Sequence, residues 1–354
     1  MRVLLAGYSA DRYISQHRHI AKTIEQKVLQ MNKAPTIAHD NAPSLTPLVK
    51  LLADDMEQVN AQIVARMASD VPLVPELAGH LIAAGGKRLR PLLTLAGARL
   101  AGGNPHAIGL ATAVEFIHSA TLLHDDVIDE SKLRRGHDTA NALWGNDASV
   151  LVGDFLFARA FELMVETDSL SVLGRLSNAS TRITEGEIKQ MTIAGVADTP
   201  AADYLDVIRN KTAILFAAAI AAGAEVAGAK KTVIEATNDY GLQLGMAFQI
   251  MDDAMDYSRS SAAMGKNSGD DFLNQKITLP MILAYDDGDD AERYFWHKTM
   301  RDGDFADGDF DKAQSILQRH NAIERSIAEA VTYASAAEAT MQRIAEQSKA
   351  EPAL

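Results

Sequence analysis

The chain has 354 residues, 47% of them hydrophobic, a formal net charge of -13 and no cysteine. That length can bury a large core, as one big helical domain or two ordinary ones. The acidic balance argues against nucleic acid as the main partner, because phosphate backbones are held on clustered Lys and Arg. Without cysteine there is no disulfide, thiolate nucleophile or Cys-ligated zinc, which suits a reducing cytoplasm, and any metal must sit on Asp, Glu or His.

Residues 1–30 carry a short Val-Leu-Leu patch and then mixed charges, fitting neither a secretory signal nor a transit peptide. A polar, Pro-containing stretch follows, so residues 1–45 are expected to be an N-terminal extension and 46–354 the functional domain. The longest apolar run, 213–224, has twelve residues, short of the about 20 that cross a bilayer. No transmembrane segment is therefore expected.

From 46 to 67, Leu48, Leu51, Leu52, Met56, Val59 and Ile63 keep a helical period. Val71-Pro72-Leu73-Val74-Pro75 breaks it, 76–84 starts a second helix, and Gly85-Gly86 interrupts that before Lys87-Arg88-Leu89-Arg90-Pro91. Paired glycines allow close backbone approach, and Lys87 and Arg90 can converge on one anion. The plainer reading is a helix C-cap with exposed basic residues.

Asn104-Pro105 pairs a capping side chain with proline at the first helical position. The pattern then runs to 130, roughly 39 Å of helix, and ends in Leu122-Leu123-His124-Asp125-Asp126-Val127-Ile128-Asp129. Asp125 and Asp129 share a face, with Cβ atoms roughly 5–6 Å apart. They stand where the helix macrodipole already disfavours negative charge. A divalent cation would turn that repulsion into a binding site. His118, about two turns below Asp125 on nearly the same face, is a core histidine or, beside a phosphate, a donor. Lys132-Leu133-Arg134-Arg135-Gly136-His137 follows, and its arginines either pair with the acids or hold phosphate oxygens.

Residues 144–167 read as another helix, and 177–192 carry Glu185, Glu187 and Gln190 as a polar face. Asn210-Lys211-Thr212 reads as a helix start that also presents a cation and a hydroxyl. Residues 240–257 form a second acidic helix, in which Asp252 and Asp256 share a face, Asp253 lies between them and Gln249 precedes them. A polar loop, 264–274, carries Lys266, Gly269, Asp270 and Asp271, and Lys276-Ile277-Thr278-Leu279-Pro280 returns to helix. Residues 286–311 read as acidic loop with Phe295 and Trp296 as packing anchors, and helices at 311–319 and 322–347 close the chain. There is no alternating strand, dinucleotide fingerprint or P-loop.

Mg²⁺ takes oxygen ligands octahedrally and commonly uses one or two carboxylates plus substrate phosphates. Two acid-bearing helix ends facing each other would supply those carboxylates. Lys87, Arg90, Arg134, Arg135, Lys211, Lys266 and Lys276 are cations enough for two polyanionic ligands.

Taken together, Gly85-Gly86-Lys87-Arg88-Leu89-Arg90-Pro91 and the two Asp-Asp-x-x-Asp elements resemble the trans-isoprenyl diphosphate synthases, over residues 48–337. The resemblance implies an all-α fold, a single large helical bundle of the isoprenoid synthase type around a central cavity, and transfer of prenyl groups. It implies about three Mg²⁺ ions per site, with Asp125 and Asp129 as principal ligands, Asp252 for a further ion, and Asp126, Asp253 and Asp256 in support. Lys87, Arg90, His118 and Arg135 would hold isopentenyl diphosphate. Arg134, Lys211, Thr212, Gln249, Lys266 and Lys276 would hold the allylic diphosphate. Asn274-Gln275 departs from the family pattern, in which a glycine commonly precedes the lysine.

Product length is expected from Ala120 and Thr121, one turn below Asp125 in the path of a growing tail. Both are small, which looks like the long-chain members that make octaprenyl, solanesyl or decaprenyl diphosphate for quinone side chains from a farnesyl or geranylgeranyl primer. A cytoplasmic homodimer is the expected assembly. The alternatives are a short-chain synthase, with Phe116 and Ile117 as the floor, and a non-catalytic subunit of a heteromeric synthase, which tends to lose one aspartate motif. A class I terpene cyclase normally lacks the basic element.

Overall fold

The computed structural model describes residues 45–83, 86–134, 136–257 and 269–348. Gly85, Arg135, Lys266 and the expected extension through residue 44 lie outside them. The helices are α1 Thr46–Leu51, α2 Ala53–Arg66, α3 Leu73–Ala83, α4 Leu89–Leu100 and α5 Ala107–Ile128. After them come α6 Ala140–Trp144, α7 Asn146–Val165, α8 Leu170–Ile193, α9 Ala201–Ile208, α10 Ile214–Val226 and α11 Lys231–Asp256. The last are α12 Asp270–Leu273, α13 Leu279–Asp287, α14 Asp290–Trp296, α15 Asp309–Arg319 and α16 Ala322–Ser348. The fold is the expected all-α bundle.

The Ala-rich α10 is the hub, packing against α4, α5, α8 and α11. Its residues Leu215 to Ala224 are all buried. The small side chains let backbones touch. A Cβ on Gly97 of α4 would lie 2.1 Å from the Ile220 carbonyl oxygen, and one on Gly223 of α10 would lie 1.9 Å from that of Thr94. Either addition would force the two helices apart, and an overpacked core costs about 1–3 kcal/mol. One core, containing Leu110, Phe116, Leu156, Leu176 and Phe216, fills the space around α10. A second, containing Tyr204, Ile250, Tyr257, Phe272 and Trp296, lies under the C-terminal half of α11 and α12 to α16. The C-terminal ends of α5 and α11 are linked through Lys276 and Asp271 of the segment that follows α11.

Several expectations change. The helix expected at 46–67 breaks at Leu52, which leaves helical geometry at φ -107°, ψ 14° and is fully buried; burying its side chain outweighs continuing the helix. Lys211 and Thr212 do not start a helix. They sit in a π-helical turn, Arg209–Ala213, that joins α9 to α10 without interruption. The acidic loop expected at 286–311 contains α14 and a π-helical turn, His297–Arg301. Its acids were helix-start signals: Asp289 caps the Ala291 and Glu292 N–H groups and Glu292 reaches back to Asp289. Phe295 and Trp296 are buried anchors as expected.

A two-residue antiparallel ladder, β1 Leu133–Arg134 with β2 His137–Asp138, stands where no strand was expected; it is too short to show alternation. Ala107–Ile128 and Ala201–Val226 are long and apolar enough to cross a membrane, although the uninterrupted apolar run was short. With 67% and 78% of their windows buried inside the protein, they are core helices here.

Candidate active site

α5 ends in a Schellman closure. The Ser131 N–H donates to the Asp126 carbonyl at 2.9 Å, the Glu130 N–H to that of Val127 at 3.3 Å, and Glu130 takes φ 49°. Asn141 Nδ2 donates to the Asp126 and Ser131 carbonyls at 3.1 Å each, and Ser149 Oγ of α7 donates to Leu123 at 3.1 Å. These bonds hold the acidic end against α6 and α7. His124 lies over Gly153 so closely that a Cβ there would be 2.2 Å from Nε2.

The three aspartates of this end differ in surroundings. Asp126 is 2% exposed and gripped by Arg134, whose Nε lies 2.9 and 3.1 Å from its two oxygens and Nη2 2.8 Å from Oδ1. Asp125 and Asp129 are half-buried. Burial lifts the Asp125 carboxyl from 3.8 to about 7; Lys211 and Arg134 pull it down, while Glu187 and Asp129 push it up. A divalent cation bound beside this carboxylate would offset the desolvation that raises it. Lys211 reaches it from the π-helical turn, which is packed so tightly on Gly186 of α8 that a Cβ there would be 2.6 Å from the Lys211 nitrogen. Single π turns recur at functional sites because they re-aim side chains. The Lys211 ammonium also lies 2.5 Å from Glu187.

The second acidic end, on α11, faces the first. Lys276 Nζ stands 3.6 Å from Asp129 and 3.8 Å from Asp271, and the Asp271 N–H donates to Asp256 Oδ2 at 3.0 Å. One cation thus joins the α5 end to the α11 end. Asp252 is exposed. Asp253 has both oxygens taken, Oδ2 by the Tyr204 hydroxyl at 2.6 Å and Oδ1 by Gln249 Nε2 at 2.7 Å, while Thr212 Oγ1 donates to Gln249 Oε1 at 2.9 Å. Burial pushes the Asp253 carboxyl up to about 6 against the lowering effect of these two donors. Burial and the neighbouring acids, Asp253 foremost, hold the Asp271 carboxyl well above the usual range.

Among the described residues no three carboxylates or histidines converge as a ready-made metal cage. The donor set is instead pairs of hard oxygens on opposed helix ends, which fits an ion that completes its shell with phosphate oxygens and water.

The basic element lies beside α5. Arg90 Nη1 is 3.1 Å from His118 Nε2, and the Arg90 guanidinium lies 4.6 Å above the Phe216 ring. Arg88, at φ 47°, donates to the buried Glu115 of α5 and fixes the start of α4, and Lys87 is exposed. Ala120 is fully buried, and Thr121 Oγ1 bonds the His118 carbonyl at 2.8 Å. The structure therefore gathers Asp125, Asp129, Lys211 and Lys276 at one end and Lys87, Arg90 and His118 around the start of α4.

Sequence reasoning missed Glu187, Tyr204 and Asp271. Glu187 was read as part of a polar face and is buried, and Asp271 was placed in the loop without a role. Tyr204 gave no local signal, since its partner is 49 residues away.

A sequence profile described as polyprenyl synthetase matches residues 71–317. The octaprenyl diphosphate synthase of Haemophilus influenzae is 42% identical over 282 residues, 79% of this chain and 85% of that protein. A decaprenyl diphosphate synthase from Rhodobacter capsulatus superposes with a TM-score of 0.82 at 47% identity, covering 86% of this chain and 98% of that one. A polyprenyl synthase from Caulobacter crescentus CB15, complexed with calcium and isoprenyl diphosphate, gives 0.82 at 49% identity, covering 86% and 93%. With a profile match over most of the chain and relatives of this identity along most of their own length, the chain belongs to the polyprenyl synthetase family.

Proposed function

We propose that the chain condenses isopentenyl diphosphate successively onto an allylic diphosphate, farnesyl or geranylgeranyl, to give a long-chain all-trans polyprenyl diphosphate for a quinone side chain. The observation that carries this reading is the pair of acidic helix ends joined through Lys276, with a separate basic group at Arg90 and His118. Two diphosphates need two such places.

In this reading Asp125, Asp129 and Asp252 would hold Mg²⁺, about three ions as the family resemblance implies, together with the allylic diphosphate, and Asp256 orients the second end by accepting the Asp271 N–H. Bound there, the ions supply Lewis-acid stabilisation of the departing diphosphate. Lys211 and Lys276, with Arg134 and Lys266, neutralise the same leaving group. Thr212 and Gln249 keep the wall beside it in register through Asp253. Asp126 and Asp253, already bonded within the protein, support rather than ligate. Lys87, Arg90, His118 and Arg135 hold isopentenyl diphosphate so that its double bond faces the allylic carbon. As the allylic C–O bond breaks, the new C–C bond forms in a dry cavity, and the proton lost from the adduct passes to the released diphosphate.

The tail grows down α5 past Ala120 and Thr121. A second reading, a short-chain product, draws on Phe116 and Ile117, fully buried one turn deeper. Leu151 and Val165 on α7 and Leu170 at the start of α8 are exposed apolar side chains that favour burial in a homodimer. The assembly is assigned to the cytoplasm.

Purified protein given Mg²⁺, isopentenyl diphosphate and farnesyl or geranylgeranyl diphosphate should yield a product whose mass reports its length. A C15 or C20 end product would favour the short-chain reading, and no product from any allylic primer the non-catalytic subunit. Ala120→Phe should shorten the product while turnover remains measurable; an unchanged length distribution removes the tail path.

A further inference from the structure

We propose that Gln275 is a positioning residue for Lys276, acting through a side-chain latch onto the π-helical turn His297–Arg301; this rests on the reading of Lys276 as a ligand of the allylic diphosphate. α12 ends in a Schellman closure, with the Lys276 N–H donating to the Asp271 carbonyl at 2.9 Å and the Gln275 N–H to that of Phe272 at 3.1 Å. The residue between the helix and Lys276 must then be left-handed, and Gln275 takes φ 54°. Glycine serves this position without a steric cost. Glutamine therefore needs a compensating interaction, and its amide makes one.

Gln275 Nε2 donates to the Met300 carbonyl at 2.8 Å and lies 3.4 Å from that of Thr299. Both carbonyls belong to the last turn of a helical segment, where no N–H of the same helix is left to meet them. The seat is shaped for the amide: a Cβ on Gly303 would stand 3.2 Å from Nε2. Lys276 is thus held from two sides, by the backbone closure of α12 and by the latch one residue before it. Its ammonium lies between Asp129 and Asp271 as a result. Glycine would supply the backbone shape without the latch.

The test compares Gln275→Ala, Gln275→Gly and Lys276→Ala in the full chain, with KM for farnesyl diphosphate and for isopentenyl diphosphate measured separately and thermal midpoints recorded. Both Gln275 variants should raise KM for the allylic substrate by about two- to tenfold, the factor that one neutral hydrogen bond commands, and leave KM for isopentenyl diphosphate unchanged. Gln275→Gly keeps the backbone shape, so it carries the test if the alanine variant folds poorly. A wild-type allylic KM in Gln275→Gly, with Lys276→Ala impaired, overturns the latch. A parallel rise in both KM values also overturns it, as a general loss of structure. An unchanged allylic KM in Lys276→Ala instead overturns the reading of the lysine itself.

Discussion

The two acidic helix ends share one spacing and receive opposite treatment. On α5 the middle aspartate, Asp126, is neutralised by the forked guanidinium of Arg134. On α11 the middle aspartate, Asp253, is held by two neutral donors, Tyr204 and Gln249. Asp126 thus meets a full positive charge, whereas at Asp253 a phenol and an amide offset only part of the desolvation that raises its carboxyl. The repeated motif therefore specifies where carboxylates stand and leaves their electrostatics to residues elsewhere in the chain.

The largest effect should come from the face the two ends share. Asp125→Ala and Asp252→Ala should each lower kcat/KM by about 10²–10³-fold, as expected when a group stabilising the leaving charge is lost, with thermal midpoints near wild type. Steady-state kinetics at saturating Mg²⁺ check this; retained activity in either would mean that its end takes no part.

Next comes the asymmetry. Arg134→Ala strands the carboxylate of Asp126 and should destabilise the protein by about 3–5 kcal/mol in urea unfolding, the cost of breaking a buried ion pair from one side. Tyr204→Phe should cost less, about 1–3 kcal/mol, because a neutral donor is removed from a carboxyl that can take up a proton. Equal costs would show that the two ends are not held differently.

The pH response sharpens the same contrast. Asp253 loses its proton near 3.8 in the unfolded chain and at about 6 in the folded one. Between these values the folded state binds more protons, so its stability falls as pH rises across that window and levels off above it. In metal-free protein, Asp253→Asn should remove this part of the slope in melting temperature between pH 4 and 6. Tyr204→Phe should move it upward, since the phenol's bond lowers the pKa. An unchanged profile in Asp253→Asn would assign the slope to other groups. The smallest effect should be that of Thr212→Val, about 1 kcal/mol for one lost hydrogen bond to Gln249. It should leave KM for isopentenyl diphosphate untouched.

The helices and the acidic and basic elements were legible because each rests on spacing within a few residues. Apolar positions repeat with the helical period, and Asp125 with Asp129, like Asp252 with Asp256, must share a face on any α-helix. Errors arose where a local signal had two meanings. Asp289, Asp290 and Glu292 suggested acidic loop and instead start α14. Lys211-Thr212 suggested a helix start and instead occupies a π-helical turn. The departure from glycine before Lys276 is visible in the sequence, but the left-handed backbone of Gln275 and the carbonyl that receives its amide are not.

Sequence alone determined the all-helical class, the placing of carboxylates on helix ends and the presence of cations enough for two diphosphates, since helical periodicity and charge are local properties. Tertiary structure decided that the two ends face each other across Lys276, that Arg134 serves Asp126, that Tyr204 serves Asp253, and that Glu187 turns inward to Lys211. Most of those contacts join residues far apart along the chain. They depend on how closely the helices around the π-helical turn approach it, as where a Cβ on Gly186 of α8 would stand 2.6 Å from the Lys211 nitrogen and one on Gly245 of α11 2.5 Å from the Ala213 Cα, and no short-range pattern carries that information.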